Sequence, residues 1–198
     1  MSISLKRIAL ADLQMLADGG VPATARNGTA VDALPPPFVA ARSLAQLQQG
    51  KPSQWCSTFY ILSDDPAVDL PVDASANVSA EGAPRIVGSC GFKDVPVNGR
   101  VEIGYGVSPA CQRRGVATAA VTELARIAFA SGQVRELLAQ VNRDNLASTR
   151  VVQKLQFKRH GQIVDTDGEL LYQWILVAAQ TLHEALIAQI SNPTEGQE

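Results

Sequence analysis

Histidine and cysteine are scarce in this sequence. Its two histidines, His160 and His183, stand far apart, and its three cysteines, Cys56, Cys90 and Cys111, form no CxxC pair. That spacing does not support a zinc site, and an odd cysteine count offers no disulfide framework. Long apolar runs are missing too. No stretch of 18 apolar residues exists, and the N-terminus lacks the apolar core of a signal peptide, so a reducing cytoplasm is the expected compartment and no membrane partner is expected. Charge is sparse and balanced. Charged residues make up 18% and the net charge is -2, which argues against a general nucleic-acid-binding face.

What is present suits a folded enzyme-sized domain. With 198 residues and 46% apolar content, the chain can bury a sizeable core as one domain spanning 1–198. Short strands are expected at Ile3 to Ile8 and Trp55 to Leu62. Helices are expected at about 11–17 and 38–49. Arg85 to Phe92 and Arg100 to Val107 read as strands around Asn98-Gly99, a strong hairpin signal. Val116, Ala120, Leu124 and Ala128 recur every four residues, which predicts a helix from Gly115 to Ser131. Leu137 to Val141 then reads as a strand, and Asn145 or Asp144 can cap the helix that follows. Phe157 to Val164 and Leu170 to Val177 suggest a hairpin around Asp167-Gly168. Leu182, Leu186 and Ile190 line one face of an expected helix over 178–191, a stripe that fits either a homodimer contact or cover for the chain's own sheet. The order predicts an α/β (α+β) fold: a mixed, mostly antiparallel sheet flanked by helices, with at least one parallel crossover.

Residues 64–84 interrupt this pattern. They hold Asp64, Asp65, Asp69, Asp73 and Glu81, three prolines, and no Lys or Arg. Two readings stand: a flexible, solvated acidic excursion, or a loop that folds over a basic substrate.

The chemistry concentrates at Gln112-Arg113-Arg114-Gly115-Val116-Ala117. This basic, glycine-bearing turn joins a strand to the start of a helix. Free backbone N–H groups and the positive end of the helix dipole converge there, which suits a phosphate or pyrophosphate. Side-chain bulk at Gly115 would obstruct close approach of a phosphate to the backbone. A Walker loop would need Gly-Lys-Ser/Thr, and a dinucleotide fingerprint would need a third glycine beside Gly104 and Gly106. Both are absent.

The same residues resemble a known family. Gln112 to Ala117 matches the Q/R-x-x-G-x-G/A pattern with which the GNAT family of N-acetyltransferases binds acetyl-CoA. Asn145-Leu146-Ala147-Ser148 and Val152-Gln153-Lys154-Leu155-Gln156-Phe157 resemble that family's N-x-x-S and V-x-x-K-L-G-F segments. Glu102-Ile103-Gly104-Tyr105 looks like the RimJ/RimL-like branch, which acetylates ribosomal proteins. The resemblance implies acetyl-CoA as cosubstrate, no metal, and direct acetyl transfer to a primary amine, either a protein N-terminus or a small molecule. It also implies a splayed parallel strand pair that forms the acyl-CoA cleft. The cofactor contacts would be Gly106 and Val107 on the strand, Gln112, Arg113, Arg114, Gly115, Val116, Ala117 and Thr118 at the turn, and Asn145 with Ser148 on the opposite lip.

Three side chains stand out as catalytic candidates. Glu102 could deprotonate the amine through a water, or could simply be a solvated or salt-bridged strand residue. Ser148 could return a proton to the CoA thiolate or merely contact the cofactor. Tyr172 could supply that proton or serve in packing. Cys111 sits beside the turn, but no histidine is spaced to make it a nucleophile. A non-catalytic acyl-CoA sensor or interaction module is the alternative of a different class. One departure from the family is Gln156, which stands where the family commonly has a helix-ending glycine.

Overall fold

The computed structural model describes residues 2–26, 28–65 and 84–179. Within them, alternation and turn chemistry produce most of the expected elements. The chain runs β1 (Ile3–Arg7), α1 (Leu10–Ala17), α2 (Pro37–Gln48), α3 (Ser53–Cys56), β2 (Thr58–Ser63), β3 (Arg85–Phe92), β4 (Arg100–Val107), α4 (Val116–Ala130), β5 (Glu136–Asn142), α5 (Leu146–Lys154), β6 (Lys158–Val164) and β7 (Leu170–Val177). The strands form one sheet in the order β1-β2-β3-β4-β5-β7-β6. Every neighbouring pair is antiparallel except β4 and β5, which are parallel. This is the mixed, mostly antiparallel sheet that the order of elements predicts.

Burial explains which strands sit at the centre. Nearly every residue of β2 and β3 is buried, so both faces of these strands are covered. In β5, Leu137, Ala139 and Val141 are buried and alternate with partly exposed residues, the period of a strand with one core face. Outermost β6 is mostly exposed. Helix α4 contributes Val116, Ala120, Val121, Leu124 and Ala128 to the core, the stripe predicted from the four-residue spacing. Asn98 and Gly99 both have positive φ (52° and 78°), the signature of a type I′ hairpin turn, and they join β3 to β4.

One expected strand is corrected. Trp55 and Cys56 lie in the short helix α3, and β2 begins at Thr58. Pro52 precedes the first helical residue, where a fixed φ helps start a turn, and the Ser57 hydroxyl donates to the Ser53 carbonyl. Apolar character alone does not distinguish that turn from a strand. Trp55 instead packs edge-on against Phe92, with ring centroids 5.1 Å apart.

The end of α5 resolves the departure at Gln156. Gln156 takes the left-handed conformation (φ 64°) without being glycine. The Phe157 N–H donates to the Val152 carbonyl and the Gln156 N–H to that of Gln153, both at 3.0 Å. Those two bonds make a Schellman closure, sealed by buried Phe157 and Val152. The strain is therefore carried by a well-satisfied helix end. Gln156→Gly is expected to stabilise the fold by about 0.5–1 kcal/mol, after glycine's extra unfolded-state entropy is subtracted from the left-handed penalty. Thermal unfolding checks this, with a rise of roughly 2–4 °C per kcal/mol.

The acidic segment 64–84 lies outside the described residues apart from 64, 65 and 84. The expected 178–191 helix lies outside them beyond residue 179, and His183 goes with it.

Candidate active site

The site begins where two parallel strands part. β4 and β5 pair from Arg100↔Glu136 to Ile103↔Ala139, and then β4 runs on to Val107 and β5 to Asn142 without pairing. β4 stays bound to β3 throughout this stretch, up to Gly88↔Val107. The Glu102 carbonyl accepts from Lys93 N–H, and Ser108 N–H donates to the Val87 carbonyl. Even-numbered residues of β4 thus direct their backbone groups toward β3. By alternation, Tyr105 and Val107 direct theirs toward the side that β5 has vacated. The Val107 carbonyl accepts from Gln112 Nε2 at 3.1 Å, which ties the turn to the strand end.

Beyond β4 the chain makes a 3₁₀ turn at Pro109–Cys111 and enters α4 through Gly115. Arg113 (φ 63°) and Gly115 (φ 81°) are both left-handed. A Cβ on Gly115 would meet no atom of the other described residues within 4 Å, so glycine is demanded there for its φ and not for lack of room among them. Among the described residues no side chain caps α4, whose N-cap is Gly115. Its first internal bond is Ala119 N–H to Gly115 carbonyl, which leaves the N–H groups of Val116, Ala117 and Thr118 without intrahelical acceptors.

These N–H groups open on a cavity of about 420 Å³. It brings together Gly106, Val107, Gln112, Arg113, Gly115, Val116, Ala117, Thr118, Asn145 and Ser148. Of the cofactor contacts expected from sequence, Arg114 alone is absent from the lining. Its guanidinium lies 3.6 Å from the Asp65 carboxylate. Two further cations line this cavity, one helical turn apart on α5: Lys154, the lysine of the V-x-x-K-L-G-F segment, and Arg150, which no motif singles out. The i,i+4 spacing from Arg150 to Lys154 is the signal that points to Arg150. Asn145 has a local role as well, because its Oδ1 accepts from Ser148 N–H at 3.0 Å and caps α5.

A second cavity, about 470 Å³, shares Tyr105, Gly106 and Val107 with the first. α2 and the segment before it supply Leu34, Pro36, Phe38, Val39 and Arg42. The strands supply Thr58, Ser89, Cys90, Gly91, Lys93 and Gly104. Tyr105 has no catalytic role expected from sequence. Its hydroxyl donates to the Ser148 carbonyl at 3.4 Å, and burial raises its pKa from the ordinary phenol value.

Glu102 and Tyr172 line neither cavity. Glu102 Oε1 accepts from the Lys93 ammonium and Oε2 from Gln140 Nε2 at 2.9 Å, so both oxygens are engaged. Tyr172 lies on β7 under the Arg159 guanidinium, 3.5 Å from its ring centroid. Cys111 borders the first cavity, but burial pushes its thiol pKa up, which disfavours the thiolate a covalent route would need. Among the described residues, no three His, Cys, Asp or Glu side chains are placed to hold a metal ion, and no helix is long and apolar enough to cross a membrane.

Residues 40–158 match the acetyltransferase (GNAT) domain family. An uncharacterized N-acetyltransferase of Bacillus licheniformis, p20, is 30% identical over 101 residues, which are 49% of this chain and 57% of that protein. The match thus spans little more than half of that relative's length. Among solved structures, the ribosomal-protein-S5-alanine acetyltransferase of Vibrio fischeri aligns with a TM-score of 0.60 at 13% identity, covering 90% of this chain and 94% of that one. Mycobacterium smegmatis RimJ, in complex with CoA-disulfide, aligns with a TM-score of 0.57 at 17% identity, covering 94% and 88%. At these identities the likeness is one of fold.

Proposed function

The chain belongs to the GNAT acetyltransferase family, and from that premise we propose that it transfers an acetyl group from acetyl-CoA to a primary amine by direct attack. One observation carries the proposal: two cavities meet at Tyr105, Gly106 and Val107, and one of them is lined by an uncapped helix N-terminus. A donor and an acceptor brought from opposite cavities would meet at one strand end.

The donor-side residues fit the cosubstrate by their chemistry. N–H groups of Val116, Ala117 and Thr118, at the positive end of α4, hold the pyrophosphate. Arg113, Arg150 and Lys154 add full charges around the phosphates. Backbone groups of β4 left unpaired by β5 bind the pantetheine arm as a neighbouring strand would. The Val107 N–H polarises the thioester carbonyl and stabilises its developing negative charge.

The ammonium must give up one proton to solvent before its nitrogen attacks the carbonyl carbon, and as the amide forms that nitrogen loses a second, which balances the one the thiolate takes up. As the C–N bond forms, the C–S bond breaks and the thiolate leaves. Tyr105, kept protonated by burial and shared by both cavities, supplies the proton that the thiolate takes up. Ser148 contacts the cosubstrate. Glu102 acts as a positioning residue, holding Lys93 and Gln140, because it lines neither of the cavities that the donor and the amine would occupy. The acceptor class is a primary amine. A protein N-terminus is one candidate, supported by the Glu102-to-Tyr105 segment and by fold neighbours that acetylate ribosomal proteins.

The test is a panel of amines with acetyl-CoA, read as release of free thiol, alongside thermal unfolding. Acetyl-CoA at 100 times its Kd should add about 2.7 kcal/mol of stability. Absence of both stabilisation and thiol release would remove the proposal. Glu102→Gln is expected to lower kcat/KM less than about tenfold and to keep the pH profile. A general base would lose about 10²–10⁴-fold, along with the limb of the profile that it controls.

A further inference from the structure

The acceptor cavity contains a charge that the mechanism above does not use. Arg42 projects from α2 into its lining. The guanidinium Nε is enclosed and has no hydrogen-bond partner among the described residues. A buried donor left unsatisfied costs free energy, and a charged one costs more. Most arginines escape that cost by pairing with a carboxylate.

The nearby carboxylates already have cations of their own. Glu102 and Asp94 are the negative charges that act on Arg42. Glu102 is bound by Lys93, and Asp94 by Lys51 at 2.7 Å. Among the described residues, three cations therefore face two carboxylates, and one positive charge remains over. The other charge on the lining, Asp32, is exposed, where water screens it. Beside Arg42 the wall is apolar: Leu34, Pro36, Val39 and Phe38, the last 70% exposed.

Resting on the acetyl-transfer function above, we propose that the acceptor is a primary amine that also carries a carboxylate and an apolar group, with Arg42 binding the carboxylate. Rotation of the side chain would turn the Nε–Nη edge toward the cavity, where a planar guanidinium meets a carboxylate with two parallel hydrogen bonds. The apolar wall takes the rest of the acceptor. A cavity of about 470 Å³ has the size of a small-molecule site, which suits an amino-acid-sized acceptor. The surplus positive charge runs against polyamines and other purely cationic acceptors. It therefore opposes the cationic preference that the acidic 64–84 segment suggests from sequence.

The experiment compares L-phenylalanine with phenethylamine, which differ by the carboxylate alone. Thiol release from acetyl-CoA is measured for both. Binding of both to the CoA-saturated protein is measured by thermal shift, so that the answer does not wait on turnover. The expected result is a kcat/KM at least about tenfold higher for L-phenylalanine, the size of one charge-assisted hydrogen-bonding contact. Arg42→Gln should erase that ratio through KM while leaving the acetyl-CoA thermal shift intact. Arg42→Lys, which keeps the charge but loses the planar fork, should retain part of it. A Phe-Glu dipeptide amide preferred over its Phe-Gln counterpart, with no preference between the free amines, would place the carboxylate on an acidic peptide. Equal or stronger use and binding of phenethylamine, with no dipeptide preference, overturns the inference and leaves acetyl transfer standing. A ratio untouched by Arg42→Gln also overturns it. Loss of both acetyl-CoA stabilisation and all thiol release would instead remove the function it rests on.

Discussion

Gly88→Ala is expected to cost about 1–3 kcal/mol of stability and at least roughly a hundredfold in kcat/KM for acetyl transfer. Gly88 lies on β3 opposite the end of β4. A Cβ there would sit 2.3 Å from the Gly106 carbonyl oxygen and 3.0 Å from Val107 Cα. Both contacts are to backbone, so no side chain can rotate away. The two strands must shift apart instead, at the end of β4 where both cavities meet. The proposed thioester contact, Val107 N–H, moves with it. The expected readout is a melting temperature lower by roughly 2–4 °C per kcal/mol, together with lost turnover in protein that is still folded at assay temperature. Wild-type melting and turnover would show that the strand end tolerates displacement, and would remove Val107 from the mechanism.

Gly115→Val should abolish the thermal shift produced by acetyl-CoA at concentrations that stabilise the parent protein. At φ 81° a β-branched residue is a severe outlier. The turn would relax to a negative φ, and the N–H groups of Val116 to Thr118 would no longer converge. Strain of about 1–3 kcal/mol would then appear as weaker binding, lower stability or both. Gly115→Asn separates two explanations for the glycine. Asparagine tolerates the left-handed region but carries a side chain. Since a Cβ at 115 meets no atom of the other described residues, Asn is expected to keep most of the acetyl-CoA shift. Equal loss in both variants would assign the requirement to close approach of the ligand, as expected from the sequence.

Elements with strong local rules are legible in the sequence alone. The Asn98-Gly99 turn, the four-residue stripe of α4 and the Asn145 cap each follow from residues close in sequence, and each is present. α3 is not legible in this way, because Ser53-Gln54-Trp55-Cys56 carries an apolar signal that suits either a strand or one helical turn. Side-chain partners are harder still. Lys93 reaches Glu102 because the β3–β4 hairpin sets them side by side, and Gln140 does so from the parallel strand. No spacing rule joins residues 93, 102 and 140. Tyr172 and Tyr105 are equally plausible phenols by residue type. Sheet order puts the first under Arg159 and the second between the two cavities.

The turn of the proposed donor site is written in one continuous stretch. From Gln112 to Thr118, backbone conformation and the start of a helix build the proposed anion site, and such features obey local sterics that a short sequence specifies. Family and donor turn can therefore be read from neighbouring residues. The proposed acceptor cavity is assembled from parts distant in the chain. Arg42 from α2, Lys93 after β3 and Tyr105 on β4 share one cavity only because helix packing and strand register bring them together. Which cation faces the acceptor without a carboxylate of its own is a matter of packing, because charge pairing depends on distances in space that the order of residues does not contain.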